Sequence, residues 1–194
     1  MEQATNLITL RGELEQLPEF SHENHGKRFF RFVLKVPRLS GAVDFLPVII
    51  HESLLNSLDL CQGPMLTITG QIRSHNIRTD GLRRLLIFVF ATTITAEEGE
   101  PINDVILEGP ICREPTYRHT PLGREICDVM LAVPRAFHRA DHLPCILMAS
   151  FSLHKNRVLF PKVVKYSNRQ IAFMSRLQIV FFYFLGRFFI YFFA

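Results

Sequence analysis

Residues 29–36 alternate strictly between two faces. Phe30, Phe32, Leu34 and Val36 share one side, and Phe29, Arg31, Val33 and Lys35 share the other. That period of two predicts a strand with one face in a core and one face open. The same alternation predicts strands over 8–14, 45–50, 65–75 and 84–94, with a short helical crossing over 52–60. Gly63-Pro64 leads into the fourth strand, and Thr79-Asp80-Gly81 is a turn signal ahead of the fifth. Farther on, Val105, Leu107 and Ile111 read as one strand and Cys127, Val129, Leu131 and Val133 as another returning beside it. A turn-rich loop over 115–123, with Pro121 and Gly123, joins them.

The two stretches are copies of one unit. Sliding the chain by 97 positions lays residues 6–50 on 103–147 without a gap. Identical pairs include Asn6/Asn103, Leu10/Leu107, Gly12/Gly109, Pro18/Pro115, Gly26/Gly123, Leu34/Leu131, Arg38/Arg135 and Asp44/Asp141. Chance does not preserve glycines, prolines and strand alternation together. The match stops after Leu147: the position equivalent to Gly63 is Phe160, and that equivalent to Gly70 is Ser167. Strands four and five therefore have no recognisable counterpart in the second copy.

The second copy opens Asn103-x-Val105-x-Leu107-x-Gly109, continues Pro115-x-x-Arg118-x-Thr120-Pro121-x-Gly123, and then reads Leu131-Ala132-Val133-x-Arg135. This resembles the start of a bacterial single-stranded DNA-binding protein. The resemblance implies an OB-fold, and five strands with one intervening helix are its order, a small Greek-key barrel. The expected fold is all-β with minor α, as two tandem OB units, the second incomplete. The expected division is a complete unit over 1–96, a linker over 97–102, a partial unit over 103–147 and an atypical apolar and basic tail over 148–194.

Charge qualifies the picture. The formal net charge of +4 is misleading, because 148–194 carries Lys155, Arg157, Lys162, Lys165, Arg169, Arg176 and Arg187 and no acid. Without those seven, 15 basic groups face 18 acidic ones, a net of −3. The tail also holds ten of the 18 Phe and three of the four Tyr. Three readings of it stand: a membrane span opposed by the cost of Arg187, replacement strands for the second barrel, or a segment supplied by a shifted reading frame. The abrupt end of the repeat and the absence of acids favour the third. The polar opening, Met1 to Asn6, predicts no signal peptide. Cys61, Cys112, Cys127 and Cys145 form no Cys-x-x-Cys pair and read as core thiols of a reducing, cytoplasmic protein.

Cations beside an aromatic on an open strand suit unpaired DNA, where cations follow phosphates and rings stack on bases. On alternation alone, an ordinary solvated face is an equal alternative; the resemblance tips the balance to DNA. The candidates are Phe29, Arg31, Lys35, Arg38 and Phe45 around strand two, and Arg73, His75, Arg78, Arg83 and Arg84 on the hairpin of strands four and five. A tip kept soluble by charge is the alternative there, but nucleic-acid contact is expected at this hairpin before anywhere else in the chain. The second copy adds Arg118, Arg124 and Arg135, but Asp128 replaces Arg31 and Ala132 replaces Lys35. Its groove is expected to bind more weakly or to serve for pairing.

The chain departs from the family's pattern. It has no Trp; His51 and Met148 stand where relatives commonly carry one, and His75 and Ile77 where they often carry an arginine and a tyrosine. Stacking is worth about 1–3 kcal/mol per base, so a weaker and more salt-sensitive grip is expected. The family's acidic C-terminal tip, which recruits repair and replication partners, is absent from the ending Tyr-Phe-Phe-Ala. His22-Glu23-Asn24-His25 resembles a metal pair only superficially, and a solvated loop is the stronger reading. No P-loop, dinucleotide fingerprint or nucleophile elbow appears. The expectation is a non-enzymatic, cofactor-free binder of single-stranded DNA without sequence preference, in a homo-oligomer. The rival is an OB-fold assembly module of replication restart, with little DNA affinity.

Overall fold

The alternation over 29–36 does build a strand, and the first barrel closes around it. The computed structural model describes residues 5–38, 41–56, 58, 65–79, 81–119, 121, 123 and 125–148, and in the tail 152–154, 157–159, 170–174, 178–184 and 187–193. The chain divides into two units, one of residues 7–104 and one of residues 1–6 with 105–194.

The first unit comprises β1 (Asn6–Leu14), β2 (Glu19–Asn24), β3 (Lys27–Pro37), β4 (Val43–His51), α1 (Glu52–Leu55), β5 (Met65–Thr79) and β6 (Leu82–Ala96). β3 runs antiparallel to β4, and β4 lies parallel to β6 with Val48 opposite Val89. β6 is antiparallel to β5, and β5 to β1. The ring shuts where Glu13 and Leu14 pair with Lys35 and Leu34, and the Glu15 N–H donates to the Val33 carbonyl at 3.1 Å. This short pairing joins β1 to β3 and closes the sheet on itself, with β2 lying outside the ring against β3.

The inward positions are those the alternation predicts. Ile8, Leu10, Leu34, Val36, Leu46, Val48, Ile50, Ile68 and Ile72 are all fully buried. Each such side chain contributes about 1.5–3 kcal/mol by leaving water. Gly12 permits the closure: a Cβ there would strike the Lys35 carbonyl and the Val36 side chain.

Three details differ from the sequence reading. The helix is one turn, ended at Leu55, with His51 as its N-cap accepting from the Ser53 N–H at 3.1 Å; residues 57, 59 and 60 of the predicted crossing, and the Gly63-Pro64 lead into strand four, lie outside the described residues. Strands four and five extend four residues beyond His75 and two on each side of 84–94. The stretch holding His22-Glu23-Asn24-His25 is mostly a strand, β2, paired with β3 rather than a solvated loop. His25 and Gly26, at φ of 51° and 71°, form the two-residue turn between them.

The second unit repeats this start in register. It contains β7 (Ile102–Pro110), β8 (Thr116–His119), β9 (Glu125–Arg135) and β10 (Arg139–Met148). β8 lies within the span predicted as loop. Asp141 opposes Val133 as Asp44 opposes Val36. The closing bond recurs, with the Cys112 N–H donating to the Met130 carbonyl at 2.8 Å beside an Ile111–Leu131 bridge. Gly109 again leaves room for a carbonyl, that of Ala132.

The tail supplies β11 (Ser152–His154) and β12 (Arg157–Leu159), a small hairpin, then β13 (Gln170–Met174), β14 (Gln178–Phe184) and β15 (Arg187–Phe193). β13 runs antiparallel to β7, β15 runs parallel to β10, and β14 pairs with β15. These are the relations β5 has to β1 and β6 to β4. Of the three readings of the tail, replacement strands describe this pairing. Among the described residues no helix is long and apolar enough to cross a membrane.

Candidate nucleic-acid interface

The outward positions of β3 meet those of β4 across the ladder: Phe29 opposes His51, Arg31 opposes Ile49, Val33 opposes Pro47 and Lys35 opposes Phe45. The same face continues onto β6 through Phe88 and Phe90 and onto β5 through Gln71 and Arg73. Phe29 is the centre of an aromatic cluster. Its ring stacks on His22 at 4.9 Å, meets His51 edge-on at 5.4 Å, and lies 6.0 Å from Phe90. The Arg73 guanidinium sits over the Phe90 ring at 5.8 Å. Phe45, 53% exposed, stands at the far end of this face. The result is a half-buried apolar floor with cations at its rim, which is what stacked bases and a phosphate track require.

Acids of the same unit already hold two of those cations. Arg31 Nη2 pairs with Glu19 Oε2 at 3.4 Å, and Lys35 Nζ with Glu13 Oε2 at 3.3 Å. Both pairs are exposed, and exposed pairs are worth at most about 1 kcal/mol, so a phosphate can compete for either cation. Arg38 differs. Its side chain is 12% exposed and donates from Nε to Asp44 Oδ2 at 2.8 Å and from Nη2 to Asp44 Oδ1. The structure therefore gives Arg38 a buried partner and a structural task in place of the expected phosphate contact.

The β5–β6 hairpin carries the least committed charge. Arg78 opposes Arg83 directly, Ile77 opposes Arg84, and the turn passes through Gly81 at a φ of 75°. His75, Arg78, Arg83 and Arg84 are exposed, and among the described residues no acid pairs with these three arginines. Alternation puts Arg73, His75 and Arg84 on the face of Phe88 and Phe90, and Arg78 and Arg83 on the other side of the ribbon. Like charges set opposite one another repel unless an anion lies between them.

The second unit is poorer in available charge. Arg118 donates from Nε to Asp128 Oδ2 at 2.6 Å and from Nη2 to Asp128 Oδ1 at 3.2 Å, so the acid at the position of Arg31 occupies it. Arg135 reaches the buried Asp141 at 3.4 Å. Arg124 lies outside the described residues.

Sequence reasoning missed Phe90, Phe88, Ile49 and His22. Residues 85–91 are apolar at nearly every position, so their alternation does not say which side is inward; only closure of the ring decides it. It also missed Glu13 and Glu19, which lie on other strands than the cations they meet. His22, once weighed as a metal ligand, spends its ring on Phe29, with Nδ1 3.1 Å from Ser21 Oγ. No group of three His, Cys, Asp or Glu able to hold a metal occurs among the described residues.

No protein-family model matches the sequence, and no curated protein matches it. Among solved structures, the chain is similar to the wild-type single-stranded DNA-binding protein from Thermus aquaticus, with a TM-score of 0.61 and 23% identity over 75% of this chain and 74% of that one. A deletion mutant of that protein gives a TM-score of 0.60 and 22% identity, over 75% and 76% of the two chains. The N-terminal domain of PriB from Thermoanaerobacter tencongensis, solved as a dimer, is 40% identical over 50% of this chain and 100% of that domain, with a TM-score of 0.43. The resemblance to bacterial single-stranded DNA-binding proteins, read first from the sequence, holds in the fold: the chain is nearly all β, with OB units in tandem.

Proposed function

We propose that this chain, built on the OB fold of the bacterial single-stranded DNA-binding proteins, binds unpaired DNA without sequence preference. The observation that carries the reading is the outward face of β3, β4 and β6, where Phe29 and Phe90 form a floor and Arg73 overlies it. Bases stack on Phe29, Phe90 and Phe45, while Arg73, Arg84 and His75 follow the phosphates, joined by Arg78 and Arg83 at the hairpin tip. Arg31 and Lys35 join once phosphate displaces Glu19 and Glu13. Stacking is indifferent to base identity, since every base has a π-face. The reading asks for no bond-making step and no cofactor. It implies a bacterial cytoplasm, where unpaired genomic DNA occurs, and work in replication, recombination or repair. Pairing of barrels into a homo-oligomer fits the family resemblance, and replication or repair proteins are further partners under the same reading.

The acids beside Arg31, Lys35 and Arg118 support a second reading, in which the OB surfaces dock replication-restart proteins and DNA affinity is slight. Titration of a labelled oligo-dT at low and moderate salt separates the two. With the six Arg and Lys side chains named above on phosphates, DNA binding gives a log–log salt slope of about −4. No detectable binding at low salt favours the docking module.

A further inference from the structure

Strand β2 sets two of its side chains against the two groove residues that β3 offers first. Glu19 opposes Arg31, and His22 opposes Phe29. Plain alternation forbids that, because residues three apart on a strand belong to opposite faces. The register shift between Phe20 and His22 removes the conflict. An extra residue on a bulged strand re-aims the side chains beyond it, and here it turns both toward the groove.

The two contacts differ in kind. Glu19 Oε2 accepts from Arg31 Nη2 at 3.4 Å, the kind of bond a phosphate oxygen makes. The His22 ring lies 4.9 Å from that of Phe29 with 12° between their planes, the near-parallel geometry of a stacked base. His51 and Phe90 meet the same ring at 81° and 47°. A carboxylate on the cation and a flat ring on the aromatic together reproduce the two halves of a nucleotide.

The second copy supplies the contrast. Its groove residue in the place of Arg31 is Asp128, and β8 answers with the opposite charge, Arg118, at 2.6 and 3.2 Å. In the place of Phe29 stands the buried Ile126, and Thr116 to His119 pair with β9 in unbroken register. In each copy the outer strand matches the charge of its groove, and the bulge accompanies the ring.

We infer that β2 is an autoinhibitory strap, with Glu19 and His22 occupying the phosphate and base positions at Arg31 and Phe29 until unpaired DNA displaces them. This rests on the proposed binding of unpaired DNA and adds selection by length. An internal competitor lowers apparent affinity by the fraction of molecules whose groove is open. A long strand held also at the β5–β6 hairpin overcomes it, and a single nucleotide does not.

His22→Ala and Glu19→Gln test the strap in the full-length protein, with affinity for labelled oligo-dT read by anisotropy. His22→Ala is expected to tighten binding about two- to tenfold, the scale of one aromatic pair, and to keep that gain at moderate salt. Glu19→Gln gives a gain that fades with salt, and the double variant binds more tightly than either. In proton NMR the His22 ring signals, identified by their loss in His22→Ala, are expected upfield under the Phe29 ring current. They move downfield when oligo-dT saturates the protein. Weaker or unchanged affinity of His22→Ala at an unchanged melting temperature overturns the strap and leaves the DNA reading intact. His22 signals that stay upfield at saturation overturn it as well. Failure of oligo-dT to bind both the wild type and the double variant at low salt overturns the DNA reading itself.

Discussion

Arg38 closes on Asp44 through two N–H donors across the β3–β4 turn, and 97 residues later Arg135 reaches Asp141 in the same way with a single bond of 3.4 Å. Both carboxylates are buried, at 2% and 0% exposure, whereas the arginines are 12% and 36% exposed. The pair is a fixture of the repeated unit that ties the two strands at their turn. Removing the guanidinium leaves a buried charge without its counter-ion, which costs about 3–5 kcal/mol. Arg38→Ala is expected to lose that much in urea unfolding, and Arg135→Ala clearly less, because its guanidinium is wetter and its bond longer. Equal losses would mean that the two copies are held together differently from this account.

The acids on the groove are internal competitors for phosphate. Glu19→Gln and Glu13→Gln free Arg31 and Lys35, and each is expected to tighten oligo-dT binding by roughly two- to fivefold at low salt, the scale of an exposed ion pair. The gain should fade as salt screens the charges. Arg31→Gln should weaken binding in the same titration.

Gly12 and Gly109 sit where the first strand of each copy crosses a carbonyl of the third. A methyl group there must push the backbone apart. Gly12→Ala and Gly109→Ala are each expected to cost about 1–3 kcal/mol, read from thermal or urea unfolding. A neutral Gly12→Ala would contradict the barrel closure at Glu13 and Leu14.

Burial pushes the thiols of Cys145 and Cys127 up from their ordinary value of 9.0, with the Tyr117 hydrogen bond opposing the rise at Cys127. A thiol raised in the folded state favours folding below pH 9 and withdraws that stability as pH climbs through the folded value. Stability is therefore expected to hold near neutrality and to fall above about pH 9. Cys145→Val should flatten part of that fall. In native alkylation mapped by mass spectrometry, Cys112, the exposed thiol of the three described, should react before Cys127 and Cys145.

Much of the first barrel is legible in its sequence because one face of each strand is apolar and the other mixed. Leu34 and Val36 against Arg31 and Lys35 leave no doubt about direction. Legibility fails where both faces are apolar, as along Leu85 to Ala91, and where a short strand shows no alternation, as in Glu19 to Asn24. There a turn at His25-Gly26 and pairing with β3 make the strand, and neither is a periodic signal. The site was legible as residue types and not as partnerships. Arg38, Arg118 and Arg135 look alike in the sequence to the arginines of the β5–β6 tip, but each meets an aspartate that only the folded ladder brings near. The tail's strands were hidden for a further reason: 148–194 shares no repeat match, so its pairing with β7 and β10 appears only in three dimensions.

The central claim is that unpaired DNA lies on the outward face of β3, β4 and β6 and along the β5–β6 hairpin. Photocrosslinking of the full-length protein to an oligonucleotide carrying 5-iododeoxyuridine, followed by mass-spectrometric mapping, tests it directly. The account predicts adducts at Phe29, Phe45 or Phe90 that disappear as salt releases the strand. Efficient crosslinking with every adduct outside residues 19–96 would contradict it.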